Sequence, residues 1–303
     1  PLLQSVGRVE RVHKGSPHGA PREVIGTAFV VGRRLVMTNR HVAEHLIDGS
    51  GGKLVLRLPG GGVDWRAEAP SGAGSAPSPE YMAVTGVRMI HPYWDMALLE
   101  VADVGTRRVL MLAGSPIAAT HKRVVVVVGY PVFERDPTVS PELIERVFSE
   151  HRGVKRLAPG HIIGMRDATS NDRVVQALAH DVSTLAGTSG APVFDLETGV
   201  VVGVHFGGTF MRANYAVPTW ELARDPSVVA QQLNFDSKPT QGAPEWLNSS
   251  SPTSANSNAE QPDASTLLGE YLGTQTGTHP VVPEGATLDA TEVAPDGDTQ
   301  EVS

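Results

Sequence analysis

The sequence predicts an all-β fold with many turns, one short C-terminal helix and a disordered acidic tail. Three observations carry this. Apolar runs are short and are separated by turn residues, with 32 Gly and 23 Pro in 303 residues. Sustained helical periodicity is scarce, so few segments can pack as long amphipathic helices. The last 67 residues, 237–303, are polar, Pro-rich and poor in aliphatics, a composition that cannot bury enough apolar surface to offset the entropy of ordering.

Taken in order, residues 4–99 read as short strands. Segments 25–31 and 34–38 flank Gly32-Arg33 as a hairpin. Residues 53–58 form a further strand, and 59–78, rich in Gly, Pro and Ser, read as a long surface loop. Strands at 81–90 and 96–101 complete this half, and 103–119 cross to the next. The second half has strands near 123–128, 161–165, 173–178, 191–195, 200–204 and 214–217. Residues 141–151 fit helix or strand equally. Residues 219–233 read as the C-terminal helix, broken or restarted at Pro226. Within the tail, 265–272 is the one apolar patch, a transient helix or docking segment.

Charge and composition exclude several classes of function. The net charge is −8, but residues 237–303 hold one Lys and ten Asp or Glu, which leaves the preceding residues at +1. No basic face points to nucleic acid. There is no Cys, so disulfides, thiol catalysis and Cys-ligated metals are ruled out. No apolar run approaches the ~18 residues of a membrane span. The chain opens at Pro1 with neither Met nor a charged-then-apolar leader, which reads as a processed product or a fragment.

The chemistry centres on Gly187-Thr188-Ser189-Gly190-Ala191-Pro192. A Ser between two Gly residues, followed at once by an apolar strand, is presented on a tight turn. There the backbone amides of Gly187 and Ser189 can converge where an oxyanion would form. Upstream, Thr38-Asn39-Arg40-His41 closes an apolar strand with a His, and Trp94-Asp95-Met96-Ala97 opens another with an Asp. A carboxylate between aromatic and apolar neighbours is partly buried and needs a hydrogen-bond partner, which a His can supply. His41, Asp95 and Ser189 therefore form a candidate acid–base–nucleophile set in the order His, Asp, Ser.

Two rival readings use the same residues. His41-Val42-Ala43-Glu44-His45 fits H-x-x-E-H, an inverted zinc-peptidase motif with Glu44 as base. It needs a long regular helix, and Asp48-Gly49-Ser50-Gly51 ends this one quickly. It also leaves Asp95 and the Ser189 loop without a role. The other rival is a binding domain of the same fold without activity, against which the complete triad argues. His13, His18, His121, His151 and His279 lie in polar contexts and read as surface residues.

With these residues in hand, the chain resembles the trypsin-like serine peptidases, and within them the bacterial glutamyl endopeptidases. The likeness spans residues 24–233. It rests on Leu35-Val36-Met37-Thr38-Asn39-Arg40-His41-Val42, Asp95-Met96-Ala97-Leu98, Val128-Gly129-Tyr130-Pro131, Asp181-Val182-Ser183-Thr184 and Val202-Gly203-Val204-His205-Phe206-Gly207-Gly208. The resemblance implies a double six-stranded β-barrel of the chymotrypsin type, with the site in the cleft between barrels. It implies His41 as base and acid, Asp95 as its orienting partner, Ser189 as nucleophile, and the Gly187 and Ser189 amides as oxyanion hole. It further implies a specificity pocket lined by Thr184, His205, Gly207 and Gly208. A Glu or Asp before the scissile bond is the first expectation for that pocket, and Gln is the second. Thr188 departs from activated trypsins, where an Asp captures a freed N-terminal amine. Other contacts must therefore hold the oxyanion loop.

The expected organisation is a first barrel over residues 1–110, a second over 111–236 and the tail over 237–303. The expected partner is a protein or peptide substrate, and the expected state a monomer that uses no metal and no cofactor.

Overall fold

A computed structural model describes residues 2–12, 22–48, 54–57, 60–66, 68, 79–117, 123–132, 153–209, 213–239 and 242. The first half runs β1 (Val6–Arg11), β2 (Glu23–Gly32), β3 (Leu35–Thr38), helix α1 (Arg40–Glu44), the short pair β4 (Ile47–Asp48) and β5 (Val55–Leu56), β6 (Gly61–Asp64), β7 (Tyr81–Ile90) and β8 (Ala97–Val101). Six of these strands close a barrel in the order β1-β2-β3-β8-β7-β6. The second half runs β9 (Val124–Gly129), β10 (Arg156–Ser170), β11 (Arg173–His180), β12 (Pro192–Asp195), β13 (Val201–Thr209) and β14 (Ala213–Pro218), and closes as β10-β11-β14-β13-β12-β9. The double barrel expected from the sequence is the fold.

The strands beside the seam between the barrels are apolar on both faces because both faces are covered. In β2, Ala28, Phe29, Val30 and Val31 are at most 2% exposed. Side chains alternate across a strand. Ala28 and Val30 accordingly enter the first barrel with Val36 and Leu99, while Phe29 and Val31 join a cluster shared with Val128, Tyr130 and Phe194 of the second. Strand β8 repeats this, with Leu99 inside the barrel and Leu98 at the seam. Each fully buried Leu, Val or Phe contributes about 1.5–3 kcal/mol, so the same strands stabilise one barrel and glue it to the other.

Three expectations shift in detail. The 25–38 hairpin forms, with its turn at Arg33-Arg34. Strand β6 lies where a loop was expected. Its glycines read as loop formers, but they are there because neighbours leave no space. A Cβ on Gly61 would stand 2.2 Å from Leu46 Cδ2, and one on Gly62 would stand 2.5 Å from the Met82 carbonyl oxygen. The strand expected at 161–165 is the middle of the 15-residue β10. Residues Arg156–His161 of β10 pair with β9, and Ile162–Ser170 pair with β11. A bulge at the changeover lets one strand turn the barrel corner.

Helix α2 (Thr219–Ala223) and helix α3 (Pro226–Val229) replace one helix over 219–233. Pro226 starts α3, where a missing N–H costs nothing, and the Asp225 carboxylate accepts from Ser227 N at its N-terminus. Just beyond, Ser237 and Lys238 bond to Ser115, and the Gly242 carbonyl accepts from Arg224. The segments 141–151 and 265–272, most of the expected 59–78 loop and the rest of the tail lie outside the described residues. Among the described residues no helix is long and apolar enough to cross a membrane.

Replacing Gly62 by Ala drives a methyl into the Met82 carbonyl and the Tyr81 ring. Overpacking of this kind costs about 1–3 kcal/mol. The denaturant midpoint is expected to fall by that energy divided by an unchanged m-value; an unshifted midpoint would show that β6 is not held this closely.

Candidate active site

Ladder register brings His41 and Asp95 together. Strands β3 and β8 pair with Thr38 opposite Ala97. His41 lies three residues beyond the first and Asp95 two before the second, so both leave the barrel at the same rim. Asp95 is 5% exposed and uses both oxygens on one partner. Its Oδ1 accepts from His41 N at 3.1 Å, and its Oδ2 accepts from His41 Nδ1 at 2.6 Å. This fixes the proton on Nδ1 and leaves Nε2 as the acceptor. Burial works against protonating His41. The Asp95 charge and hydrogen bond, with Glu44 adding, outweigh it, so the pKa is raised above 6.5.

Two residues that sequence reading did not single out hold Asp95 in place. Asn39, fully buried before α1, donates from Nδ2 to the Asp95 carbonyl at 2.8 Å. His91, also fully buried, accepts at Nδ1 from Tyr93 N and Trp94 N and contacts Asp225 Oδ2 through Nε2 at 3.0 Å. Burial pulls the His91 pKa down to about 4 despite Asp225. The neutral ring therefore donates from Nε2 and pins the turn that carries Asp95 to the start of α3. A His followed by Pro-Tyr-Trp-Asp gives no local sign of this, because Asp225 lies 134 residues away.

The Ser189 loop lies against the first barrel. Gly187 and Gly190 have φ of +84° and +85°, which glycine adopts without strain. A Cβ on Gly190 would stand 2.2 Å from the Thr27 carbonyl oxygen and 2.4 Å from Thr38 Oγ1. The Ser189 carbonyl accepts from Thr27 N at 2.8 Å. The Ser189 carbonyl and Val42, the residue after His41, both border Gly26. The Ala186 carbonyl accepts from Val132 N, and the Thr188 carbonyl from Ala191 N. Carbonyl and amide point oppositely in a trans peptide, so the N–H groups of Gly187 and Ser189 are turned away from these anchors. Among the described residues no hydrogen bond takes either of them. Thr188 is buried, and the loop is held without an ion pair at that position, as its departure from the activated trypsins requires.

Of the expected pocket residues, His205 touches this loop, Thr184 and Gly208 meet at Asn214, and Gly207 faces Tyr215. His205, on β13, is tied to it twice: Gly190 N donates to the His205 carbonyl at 2.8 Å and His205 N to the Ala191 carbonyl at 2.9 Å. Its ring, 3% exposed, lies with Nδ1 3.4 Å from Nε2 of the fully buried His180. Burial lowers the His180 pKa to about 4, against Asp181. Burial, with His180 and His41 adding, lowers that of His205 well below 6.5. Both rings are neutral near pH 7. Thr184 donates its hydroxyl hydrogen to Asn214 Oδ1 at 2.7 Å, and Asn214 Nδ2 donates to the Val182 carbonyl at 2.6 Å. Gly207 and Gly208 face Tyr215 and Asn214 across the ladder. A Cβ on Gly208 would collide with the Asn214 amide. Motif reading missed His180 as the neighbour of His205, and Asn214 as the neighbour of Thr184 and Gly208; each follows from strand register, which no local pattern reveals.

The zinc reading of His41, Glu44 and His45 does not fit this geometry. Helix α1 has five residues. Glu44 pairs with Arg40 at 2.7 Å on the exposed face. His45 Nδ1 lies 3.0 Å from the Arg11 guanidinium, a cation that opposes a metal. Burial first, then Arg11, lowers the His45 pKa to about 4.

Ring-proton NMR tests the Asp95 contact directly. His41 is expected to titrate above 6.5. Replacing Asp95 by Asn removes the charge that favours the imidazolium and leaves burial to dominate, so the His41 pKa must fall. A pKa unmoved by Asp95→Asn would contradict the assigned pair.

No curated protein sequence matches the chain. Similar solved structures include the protease Rv3671c from M. tuberculosis in its active form (21% identity, 80% of this chain and 86% of that one, TM-score 0.47). They also include the HtrA-type protease AlgW with a decapeptide (14%, 75% and 65%, 0.48) and the MamO protease domain from Magnetospirillum magneticum (15%, 77% and 97%, 0.46). A profile of the trypsin-like peptidase domain matches residues 26–204, which takes in His41, Asp95 and Ser189 and more than half of the sequence. The chain belongs to the trypsin-like peptidase domain family and is a serine peptidase of the double-barrel type.

Proposed function

We propose that the chain is an endopeptidase that cleaves after Glu, and more slowly after Asp, through His41, Asp95 and Ser189. The observation that carries the mechanism is the double engagement of Asp95 with His41, at 2.6 Å and 3.1 Å. In this reading Ser189 Oγ attacks the scissile carbonyl while its proton passes to His41 Nε2. The buried Asp95 carboxylate stabilises the imidazolium that forms. The Gly187 and Ser189 amides receive the oxyanion. His41 then protonates the leaving amine, which departs and leaves an acyl-enzyme on Ser189. Water, activated by the same imidazole, attacks the ester and releases Ser189.

The acidic preference is supported by the charges acting on His205. Burial does most to keep a proton off its ring, His180 and His41 add to it, a backbone hydrogen bond with Tyr215 opposes it, and no carboxylate is among these influences. A substrate carboxylate entering this site would favour a proton on His205 and receive a charge-assisted hydrogen bond. A basic side chain would find no partner there. Gly208 would let the Asn214 amide, which accepts from Thr184, close on the strand beside the pocket. Thr184 would contribute by turning its hydroxyl from Asn214 to the ligand, or by holding Asn214 in position.

Ser189→Ala and His41→Ala are each expected to lower peptide hydrolysis about 10⁴-fold or more, and the double variant no further, because the residues act as a unit. A peptide library varied before the scissile bond is expected to show Glu first, Asp second, and little turnover after Lys, Arg or Phe. Loss of one hydrogen bond to a charged group costs about 1.5–3 kcal/mol, so His205→Ala is expected to cut Glu cleavage roughly 10- to 150-fold. A preference for Gln would assign the pocket to a neutral amide. An unchanged Glu preference in His205→Ala would refute the assignment of His205.

A further inference from the structure

Thr27 is a buried polar residue of the seam whose every hydrogen-bonding group is used, and none of it serves its own strand ladder alone. It is fully buried on β2. Its N–H donates to the Ser189 carbonyl at 2.8 Å. Its hydroxyl donates to the Gly187 carbonyl at 2.8 Å and accepts from Tyr130 N at 3.2 Å. Its carbonyl accepts from Thr38 Oγ1 at 2.7 Å, three residues before His41. One residue thus contacts the segment leading to the base, the end of β9 and two consecutive turns of the nucleophile loop.

We propose that Thr27 is a positioning residue for oxyanion stabilisation. This rests on the reading of Gly187 and Ser189 as the oxyanion hole. The Ser189 N–H belongs to the peptide plane between Thr188 and Ser189. Thr27 fixes the planes on either side of it, one through its hydroxyl on the Gly187 carbonyl and the other through its amide on the Ser189 carbonyl. The swivel between them and the remaining donor is Gly187, whose φ of +84° offers little steric resistance to rotation. With the hydroxyl bond removed, the plane after Gly187 is held only by the bond from Thr188 N to the Leu185 carbonyl at 3.1 Å, and the convergence of the two amides loosens. The backbone bond to Ser189 survives, so the nucleophile stays in place. Substrate binding is untouched, because Thr27 lies beneath the loop.

The test compares wild type, Thr27→Val, which keeps the shape and removes the hydroxyl, and Thr27→Ser, which keeps the hydroxyl. Losing one oxyanion donor outright costs about 10²- to 10³-fold in kcat; loosening it is expected to cost about 10- to 100-fold, with KM within threefold. Binding of a peptide trifluoromethyl ketone, which forms a tetrahedral oxyanion on Ser189, is expected to weaken by the same factor as kcat/KM. Binding of the uncleaved peptide, measured in a Ser189→Ala background, is expected to stay constant. Thr27→Ser is expected to restore both kcat and ketone affinity. A folded Thr27→Val enzyme with wild-type kcat, or one whose defect lies in KM alone, would overturn the proposal. Should Thr27→Val fail to fold, Thr27→Cys replaces the hydroxyl by a weak donor of similar size, and wild-type kcat there would overturn it equally. Ser189→Ala read alongside separates the two levels: if it keeps turnover, the oxyanion-hole reading fails and this proposal with it; if it is inactive and Thr27→Val is normal, only the role of Thr27 fails.

Discussion

The site depends on how closely the nucleophile loop can approach the first barrel. Ser189 comes from one barrel, and His41 and Asp95 from the other, so the proposed reaction centre requires near backbone contact across the seam. The contact is the hydrogen bond from Thr27 N to the Ser189 carbonyl, and Gly190 makes it possible. Any side chain at Gly190 would overlap the Thr27 carbonyl and the Thr38 hydroxyl. Gly187 and Gly190 both allow the left-handed turn, and Gly190 also removes the atoms that would push the barrels apart.

Behind that contact, rigidity comes from buried polar groups that are satisfied over long sequence distances. Asn39 holds the Asp95 backbone, and His91 ties the turn before Asp95 to Asp225 at the far end of the chain. An unpaired buried polar group costs about 1–3 kcal/mol, so each such tie resists local distortion of the site. The imidazoles are driven apart in their acid–base behaviour by their surroundings. His41 has a carboxylate on its Nδ1 and is pulled toward the charged form, whereas His91, His180 and His205 are buried and held neutral. One residue type thereby supplies the proposed base, a structural donor and the neutral wall of the proposed pocket.

Much of this was legible in the sequence because it is local. The alternation in 25–38, the apolar run after Asp95 and the Gly-x-Ser-Gly turn each carry their own signal. Their order along the chain points to the triad, and the family resemblance they carry implies the double barrel. What was not legible depends on neighbours distant in sequence. The Gly61-Gly62 strand looked like a loop because the atoms that crowd it belong to Leu46, Tyr81 and Met82. Strand β10 looked short because half of it pairs with β9 and half with β11, and Pro159 and Gly160 fall in the first half. Asn39, Thr27, His180 and Asn214 are ordinary residues in their own segments. They acquire a role from register and from the seam, which period and composition do not encode. The inverted zinc motif shows the converse: a local pattern matched while the three-dimensional arrangement, with Arg11 on His45, did not.

The central claim is that the fold activates one serine among many. Treating the native protein with a fluorophosphonate and mapping the adduct by peptide mass spectrometry tests this most directly. The account predicts a single adduct, on Ser189, formed in the native enzyme, absent after unfolding in denaturant and greatly slowed in His41→Ala. No adduct, or one on a different serine at a rate independent of His41, would contradict it.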